Sequence, residues 1–283
     1  ISIFYALLFA DILLILGVSG CVVLPLVKLI SKKKIIVNID GLEWKRAKWG
    51  KVAKWFLKYS EQLAVKHSDI IIADNKVIQD YVLYEYGKKA ALIAYGADHT
   101  CKEVLSMAVL NQFPFLSEKY AFKVCRIEPE NNVHLILEAF SEYSELNIVI
   151  IGNWNNSNYG KQLKLEFNTY ENIYLLDPIY DQHILNQIRY NCYIYVHGHS
   201  AGGTNPSLVE AMHLELPILA YDIPYNLETT HQKALYFNNS KTLTSLLKSV
   251  QDYDLVKISK ALKAIADEFY TWDIITKQYA SFF

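Results

Sequence analysis

Short apolar runs recur along this chain, each followed by a stretch with helical spacing, and that alternation restricts the fold more than any other feature. DILLILGVS, KKIIVNID, DIIIADN and AALIAYG come first; KYAFKVCRI, LNIVIIG, NIYLLDP, CYIYVHG and LPILAYD follow. Strands apolar at every position suit a parallel sheet covered on both faces, since a sheet with one wet face would alternate apolar and polar residues. The strand–helix repeat gives the α/β class. Between the strands, helices are expected over CVVLPLVKLI, from about Glu43 to His67, over Lys76–Tyr86, in NNVHLILEAFSEY, KQLKLEFNTY and DQHILNQIRY, and over Asn205–His213. On the long helix Val52, Phe56, Tyr59 and Leu63 have core-facing spacing. From about Lys241 two further helical patterns lead to FYTWDIITKQYASFF, whose aromatics are expected to pack on a domain surface.

With 283 residues, 52% of them apolar, the chain is long for one core and comfortable for two. The pattern is mixed through Gly96–Lys119, so the expected organisation is a partial N-terminal Rossmann-like domain over 1–97, a complete one over 115–260, and a C-terminal helix over 261–283 packing across the domains. The chain opens without methionine inside ISIFYALLFADILLILGVSG. No basic region precedes that run, so a signal peptide fits poorly. Asp11, Gly17, Gly20 and Pro25 count against a membrane span. The expectation is a helix end followed by a buried parallel strand near Asp11–Val18, with an upstream piece of the fold absent from this sequence. A net charge of -1 gives nucleic acid no support. Cys21, Cys101, Cys125 and Cys192 have neither metal-site nor redox-motif spacing and are read as free thiols.

The stretch HGHSAGGTNPSLVEAMHLELPILAYD carries the most chemistry. A strand ends at Val196 or His197, and Gly198 to Thr204 form a small, flexible loop. Asn205 can cap the next helix through its side chain, with Pro206 at the first helical position, where a missing N–H costs nothing. The exposed N–H groups of that helix start and the loop amides make an anion site, placed where open α/β sheets bind ligands. Glu210, about one turn further, can accept hydrogen bonds from a diol such as ribose. The competing interpretation makes Gly202–Gly203 a tight turn and Glu210 a solvated helix residue. The loop matches neither GxGxxG nor the P-loop pattern. His197 and His199 flank Gly198, either touching phosphate or sugar or bonding to loop carbonyls. Asp222, Asn226, Glu228, Thr229 and Thr230 follow the next strand, at the rim and without assigned roles.

Arg126 ends the first strand of the second half, where a rigid fork can reach diphosphate oxygens; a surface ion pair with Glu128 or Glu130 is the alternative. Asp40 ends KKIIVNID, where it either orients an acceptor hydroxyl or caps the following helix through the N–H of Leu42 or Glu43. Lys45, Arg46, Lys48, Lys51, Lys54 and Lys58 then crowd together with Trp44, Trp49 and Trp55 interleaved. This is either an interfacial surface for anionic headgroups or a lipid-diphosphate acceptor, or a solvated helix face with its tryptophans inside. No tight metal-ligand set such as HExxH occurs.

Together VNIDGLEWKRAKW, YSEQLAVKHSDIIIADN, RIEPENN and HGHSAGGTNPSLVEAM resemble the retaining family 4 glycosyltransferases, and more narrowly their bacterial rhamnosyltransferase-like branch, which acts in capsule and O-antigen assembly. The resemblance implies the GT-B form of the α/β class: two facing Rossmann-like domains, the first truncated here at its N-terminus. It implies transfer of a hexosyl group, rhamnosyl in the narrower branch, from a nucleoside diphosphate sugar to a glycan or polyprenyl-linked acceptor, with retention and with neither cofactor nor metal. Asp40, Arg126 and Glu210 would be catalytic. Arg126, Asn131, His199, Gly202, Gly203, Thr204, Asn205 and Glu210 would bind the donor. Trp44, Lys45, Arg46, Lys48 and Trp49 would form an acceptor or membrane surface, at the inner face of the plasma membrane of a cytoplasmic protein. In the broad family two glutamates with seven residues between them contact the donor. Glu210 matches the second, which binds ribose, but the first falls on Gly202. The family's arginine matches Arg126, but its lysine five positions on falls on Asn131. The absent upstream piece would carry a glycine-rich loop facing the donor, and its loss, with those two departures added, keeps a catalytically inactive sugar-nucleotide-binding or scaffold protein as the alternative; a two-domain phosphosugar epimerase is a lesser enzyme alternative.

Overall fold

The computed structural model describes residues 2–46 and 48–283, which divide into two compact units. Unit 1 comprises Ile1–Tyr95, Ala201–Thr204 and Asp273–Phe283; unit 2 comprises Gly96–Ser200 and Asn205–Trp272. In chain order unit 1 contains α1 (Ser2–Ala6), β1 (Ile12–Leu16), α2 (Leu24–Ile30), β2 (Lys34–Asn38), α3 (Lys51–His67), β3 (Ile70–Ala73), α4 (Lys76–Tyr86) and β4 (Ala91–Leu92). The strands are all parallel and lie in sequential order, β1-β2-β3-β4. Ile35, Ile36 and Val37 of β2 are wholly buried, as a continuous apolar strand between two helical layers should be. Ile36 packs with Ile72, Ile93 and Ile275, the last from the Asp273–Phe283 segment. That segment is also tied to β2 by Asn38 Nδ2, which donates to the Tyr279 hydroxyl (3.0 Å), and by Lys34 Nζ, which donates to the Phe282 carbonyl (2.6 Å). Helix α4 starts where the Asn75 side chain accepts from the Val77 N–H, and stops at Gly87, whose φ of 63° is the left-handed conformation a helix end favours.

Three expectations for unit 1 are corrected. The first strand is not buried throughout: only Leu13 of β1 is, and Leu14 and Leu16 are exposed, because β1 is an edge strand. The long helix does not begin at Glu43. Glu43–Lys45 is a single 3-10 turn and α3 starts after Gly50, which stays extended and interrupts the helical run. Nor do Val52, Phe56 and Tyr59 pack inward; they are exposed, and α3 instead buries Leu57, Ser60, Glu61, Ala64 and Val65. The small side chains on that face let the backbone approach closely, and the Ser60 hydroxyl donates to the Val18 carbonyl at 2.5 Å. Glu61, 1% exposed, accepts from Tyr81 (2.6 Å), Tyr86 (2.6 Å) and the Trp44 indole (3.0 Å), so its buried carboxylate is hydrogen-bonded.

Unit 2 runs α5 (Met107–Gln112), β5 (Tyr120–Val124), α6 (Val133–Glu142), β6 (Asn147–Ile151), α7 (Asn158–Phe167), β7 (Ile173–Leu176), α8 (Gln182–Tyr190), β8 (Ile194–His197), α9 (Pro206–His213), β9 (Ile218–Tyr221), α10 (Pro224–Thr229), β10 (Leu235–Phe237), α11 (Ser240–Lys248) and α12 (Leu255–Phe269). Its six parallel strands take the order β10-β9-β8-β5-β6-β7. The chain builds outward in one direction from β5, then returns to build outward in the other. The strand order therefore reverses between β5 and β8, the place where open parallel sheets leave a crevice at their carboxyl ends. Ile148, Ile150, Val196 and Leu219 from the strands and Ile136, Leu137 and Phe140 from α6 share one core. Beyond Lys241 the chain forms three helices rather than the expected two. Asp254 caps α12 by accepting from the Lys257 N–H, and a last helix, α13 (Trp272–Ala280), follows.

Candidate functional site

The β5/β8 reversal in unit 2 opens into a cavity of about 350 Å³ lined by Val124, Cys125, Arg126, Asn131, Arg189, His199, Asn205, Pro206, Ser207 and Glu210. Five of the expected donor residues thus meet here: Arg126, Asn131, His199, Asn205 and Glu210. The start of α9 has the geometry its sequence demands. Pro206 is first in the helix, and the Asn205 side chain accepts from the Ser207 N–H (3.1 Å) and hydroxyl (2.8 Å).

The loop before α9 is held from two sides. Asn132 Nδ2 donates to the Gly198 carbonyl (2.9 Å), and the Ser200 N–H donates to the Glu130 carbonyl (2.8 Å). Asn226, expected only at the rim, is buried and donates to the carbonyls of His199 (2.9 Å) and Tyr221 (2.8 Å). A Cβ on Gly198 would collide with the Asn131 carbonyl, so no side chain fits there. Asn131, where the resembled family has lysine, is 5% exposed. Its Nδ2 donates to the Arg126 carbonyl (2.8 Å), and its Oδ1 lies 2.9 Å from His199 Nδ1, which must be the donor because that amide oxygen only accepts. Asn131 therefore supports the cavity floor. His197 is buried, with its ring against Tyr195 and His199. Burial, then the charges of Lys123 and His199, push it well below the ordinary imidazole range, so it is neutral.

Two arginines serve the cavity in opposite ways. Arg126 is 61% exposed, with Glu128 at 3.9 Å, a loose pair contributing under about 1 kcal/mol. Arg189 is buried, and its Nη1 lies 2.7 Å from Glu210 Oε2. The other Glu210 oxygen lies 3.2 Å from His99 Nε2. The Trp272 indole N–H donates to His99 Nδ1 at 3.1 Å, so in the neutral ring Nε2 carries the proton and donates to Glu210. Both carboxylate oxygens are thereby held, each with acceptor capacity left for a ligand. Sequence reasoning missed Arg189, His99 and Trp272. For Arg189 a signal existed: it shares the inward stripe of α8 with Leu185 and Ile188, and a charge on such a stripe demands a partner.

The remaining expected residues lie in unit 1. Asp40 has a φ of 57°, and its N–H donates to Asn38 Oδ1 (2.9 Å). Burial and the neighbouring Asp40 and Asp74 charges push the Tyr95 phenol up, so it stays protonated. Asp40 does not cap the next turn: Leu42 heads it without a side-chain cap, and the Glu43 N–H donates to the Gly41 carbonyl (2.8 Å). Beside Asp74 lies the 201–204 segment. Thr204 Oγ1 donates to the Asp74 carbonyl (2.5 Å), so its side chain anchors the segment. A Cβ on Gly203 would strike the Asp74 carboxylate, and one on Gly41 would strike the Gly202 backbone. Gly202 itself has a φ of 93°, a conformation that strains any side chain, glutamate included. Of the basic aromatic segment, Trp44 is half-buried on Glu61 and Lys45 lies 5.4 Å from its ring. Arg46 (2.7 Å) and the Trp49 indole (3.4 Å) both fold onto Glu43, and Lys48 sits 5.0 Å from the Trp49 ring. Among the described residues no group of His, Cys, Asp and Glu is arranged to hold a metal ion.

Residues 111–250 match the family model described as Glycosyl transferases group 1, and residues 8–98 match a Domain of unknown function (DUF1972). No curated protein matches the chain. Among solved structures it is similar to HepE of Anabaena in complex with UDP and glucose, at TM-score 0.80 and 14% identity, covering 99% of this chain and 79% of that one. It is similar to sucrose-phosphate synthase from Thermosynechococcus elongatus (TM-score 0.79, 12% identity, 99% and 75% covered). A glycosyltransferase from Rickettsia africae is also similar (TM-score 0.76, 14% identity, 99% and 78% covered).

Proposed function

From the premise that this chain is a glycosyltransferase of GT-B fold, with a glycosyl transferases group 1 domain over residues 111–250, we propose that it moves a hexosyl group, rhamnosyl by resemblance, from a nucleoside diphosphate sugar to a glycan or lipid-linked glycan in surface polysaccharide synthesis. The observation that carries this is the α9 end of the unit 2 cavity. An asparagine-capped helix start supplies backbone N–H groups for phosphate, and Glu210, with both oxygens held, is set to receive a ribose diol. The exposed Arg126 fork would reach the diphosphate, where one well-placed donor is worth about 3 kcal/mol to a departing oxyanion. The similarity to a structure holding UDP and glucose supports the same class of donor.

Transfer would retain configuration on one face of the sugar. The acceptor oxygen bonds to the anomeric carbon as the bond to the diphosphate breaks, and the acceptor proton passes to a diphosphate oxygen. Unit 1 would serve the acceptor, with Asp40 orienting its hydroxyl. A polyprenyl-linked acceptor would place the reaction at the inner face of a bacterial plasma membrane.

Calorimetric titration with dTDP-rhamnose, UDP-glucose and the free nucleoside diphosphates tests the donor site. Saturable binding is expected, weakened about tenfold or more by Glu210→Ala and by Arg126→Ala, each tenfold being about 1.4 kcal/mol. If folded protein binds none of the four, the reading fails. Tight binding with no sugar transferred to any glycan acceptor would identify a sugar-nucleotide-binding protein instead.

A further inference from the structure

We propose that the outer face of α3 docks on an anionic lipid bilayer. Val52, Trp55, Phe56 and Tyr59 follow helical spacing and form an apolar stripe about 100° wide. Trp55 is 67% and Val52 81% exposed, while the opposite face of the same helix holds it to unit 1. An ordinary surface helix has one apolar face and buries it; α3 has two, and none of the described residues covers the second. Trp55 and Tyr59 stack with ring centroids 5.8 Å apart and planes 2° off parallel, so the pair presents its aromatic rings side by side on the exposed face.

Charge selects the occupant. From Lys45 to Ser60 the chain carries six basic residues and no acidic one, in a protein whose net charge is -1. Lys48 and Lys51 are exposed at the N-terminal end of the stripe, and Lys48 lies over the Trp49 ring, so aliphatic stem and aromatic body share one surface while the ammonium groups stay in water. Arg46 is paired with Glu43, and Lys58 with Glu85 at 2.8 Å. The nearest acid of α3 itself, Glu61, is buried and cannot offset the charge outside. A twofold-related copy would set these lysines against their own kind. A bilayer with anionic headgroups meets both the stripe and its charge, at about 1 kcal/mol for each lysine near the surface. No helix among the described residues is long and apolar enough to cross a membrane; α3 would lie in the interface plane.

Flotation of the whole chain with lipid vesicles tests this without any nucleotide sugar, so its result is independent of the donor reading. With phosphatidylcholine vesicles containing phosphatidylglycerol, the floated fraction should exceed that with phosphatidylcholine alone by about tenfold. Raising salt to about 0.5 M should release the protein, since the screening length then falls well below 10 Å. Trp55→Ser with Phe56→Ser should lower flotation about tenfold, and so should Lys48→Glu with Lys51→Glu, a pair on solvated positions where folding is not at stake. Wild type that stays in the soluble fraction with both vesicle types overturns the proposal. So does a dimer, seen by light scattering, that the Trp55→Ser and Phe56→Ser pair dissolves, because the face would then belong to a second copy.

Discussion

Glu210 is held at both oxygens, by a buried arginine and by a histidine whose tautomer is set by Trp272. Arg189→Ala should therefore act on two levels. It leaves a carboxylate at the cavity wall without its main counter-charge, a loss of about 3–5 kcal/mol when such a pair is buried. It also lets the Glu210 side chain swing; on the proposed donor reading, nucleotide-sugar binding should weaken about tenfold even where the protein remains folded, because a side chain left unheld must be ordered on binding. Thermal melting and calorimetry on the same sample separate the two; unchanged donor affinity at a lowered melting temperature would reduce Arg189 to a structural role. Asn205, Pro206 and Glu210 were legible from sequence because capping and dipole chemistry act within one turn. His99 was not, since what makes it matter is a partner distant in the chain; Arg189 showed only as a charge on an apolar stripe, without the partner that explains it. Asn131 was legible only as a missing lysine; the structure gives the asparagine work of its own, between the Arg126 carbonyl and the His199 ring.

At the scale of one element, α3 shows why a helical pattern alone does not say which way a helix faces. Both Val52–Phe56–Tyr59 and Leu57–Ala64–Val65 have acceptable spacing, and the larger side chains favour the wrong one. Closeness of approach decides: Ser60 and Ala64 are wholly buried, whereas Val52 is solvated. Ala64→Leu should accordingly cost about 1–3 kcal/mol through overpacking. Val52→Ser should stay within about 0.5 kcal/mol, as solvated positions do. Urea denaturation of both variants measures this; equal losses would mean that the outer stripe packs after all. The helix start misled for a related reason, because the run from Glu43 looks continuous until the extended backbone at Gly50 is known.

For the molecule as a whole, the α/β class and the parallel sheets followed directly from strands apolar at every position. What contiguous reading could not reveal is that unit 1 is assembled from three separated stretches of chain. Ile275 completes the cluster of Ile36, Ile72 and Ile93, with Tyr279 and Phe282 packed against it. Removing Asp273–Phe283 should loosen unit 1, at about 2–5 kcal/mol for Ile275 alone, while unit 2 keeps its core. Hydrogen exchange should show lost protection in β2 and β3 with β5, β6 and β8 unchanged; a uniform loss would show the two cores to be one cooperative block.

That discontinuity also sets an order of events during synthesis. Domains usually fold in the sequence in which they leave the ribosome. Here the six-stranded sheet of unit 2 has its last strand, β10, by Phe237, and the unit's chain is complete at Trp272. The four strands of unit 1 emerge first, yet their apolar cluster stays open until Ile275, Tyr279 and Phe282 follow. Of the two units, the one made earlier is the one finished later, so while unit 2 is being synthesised the nascent chain displays an incomplete isoleucine core, the kind of surface that chaperones recognise.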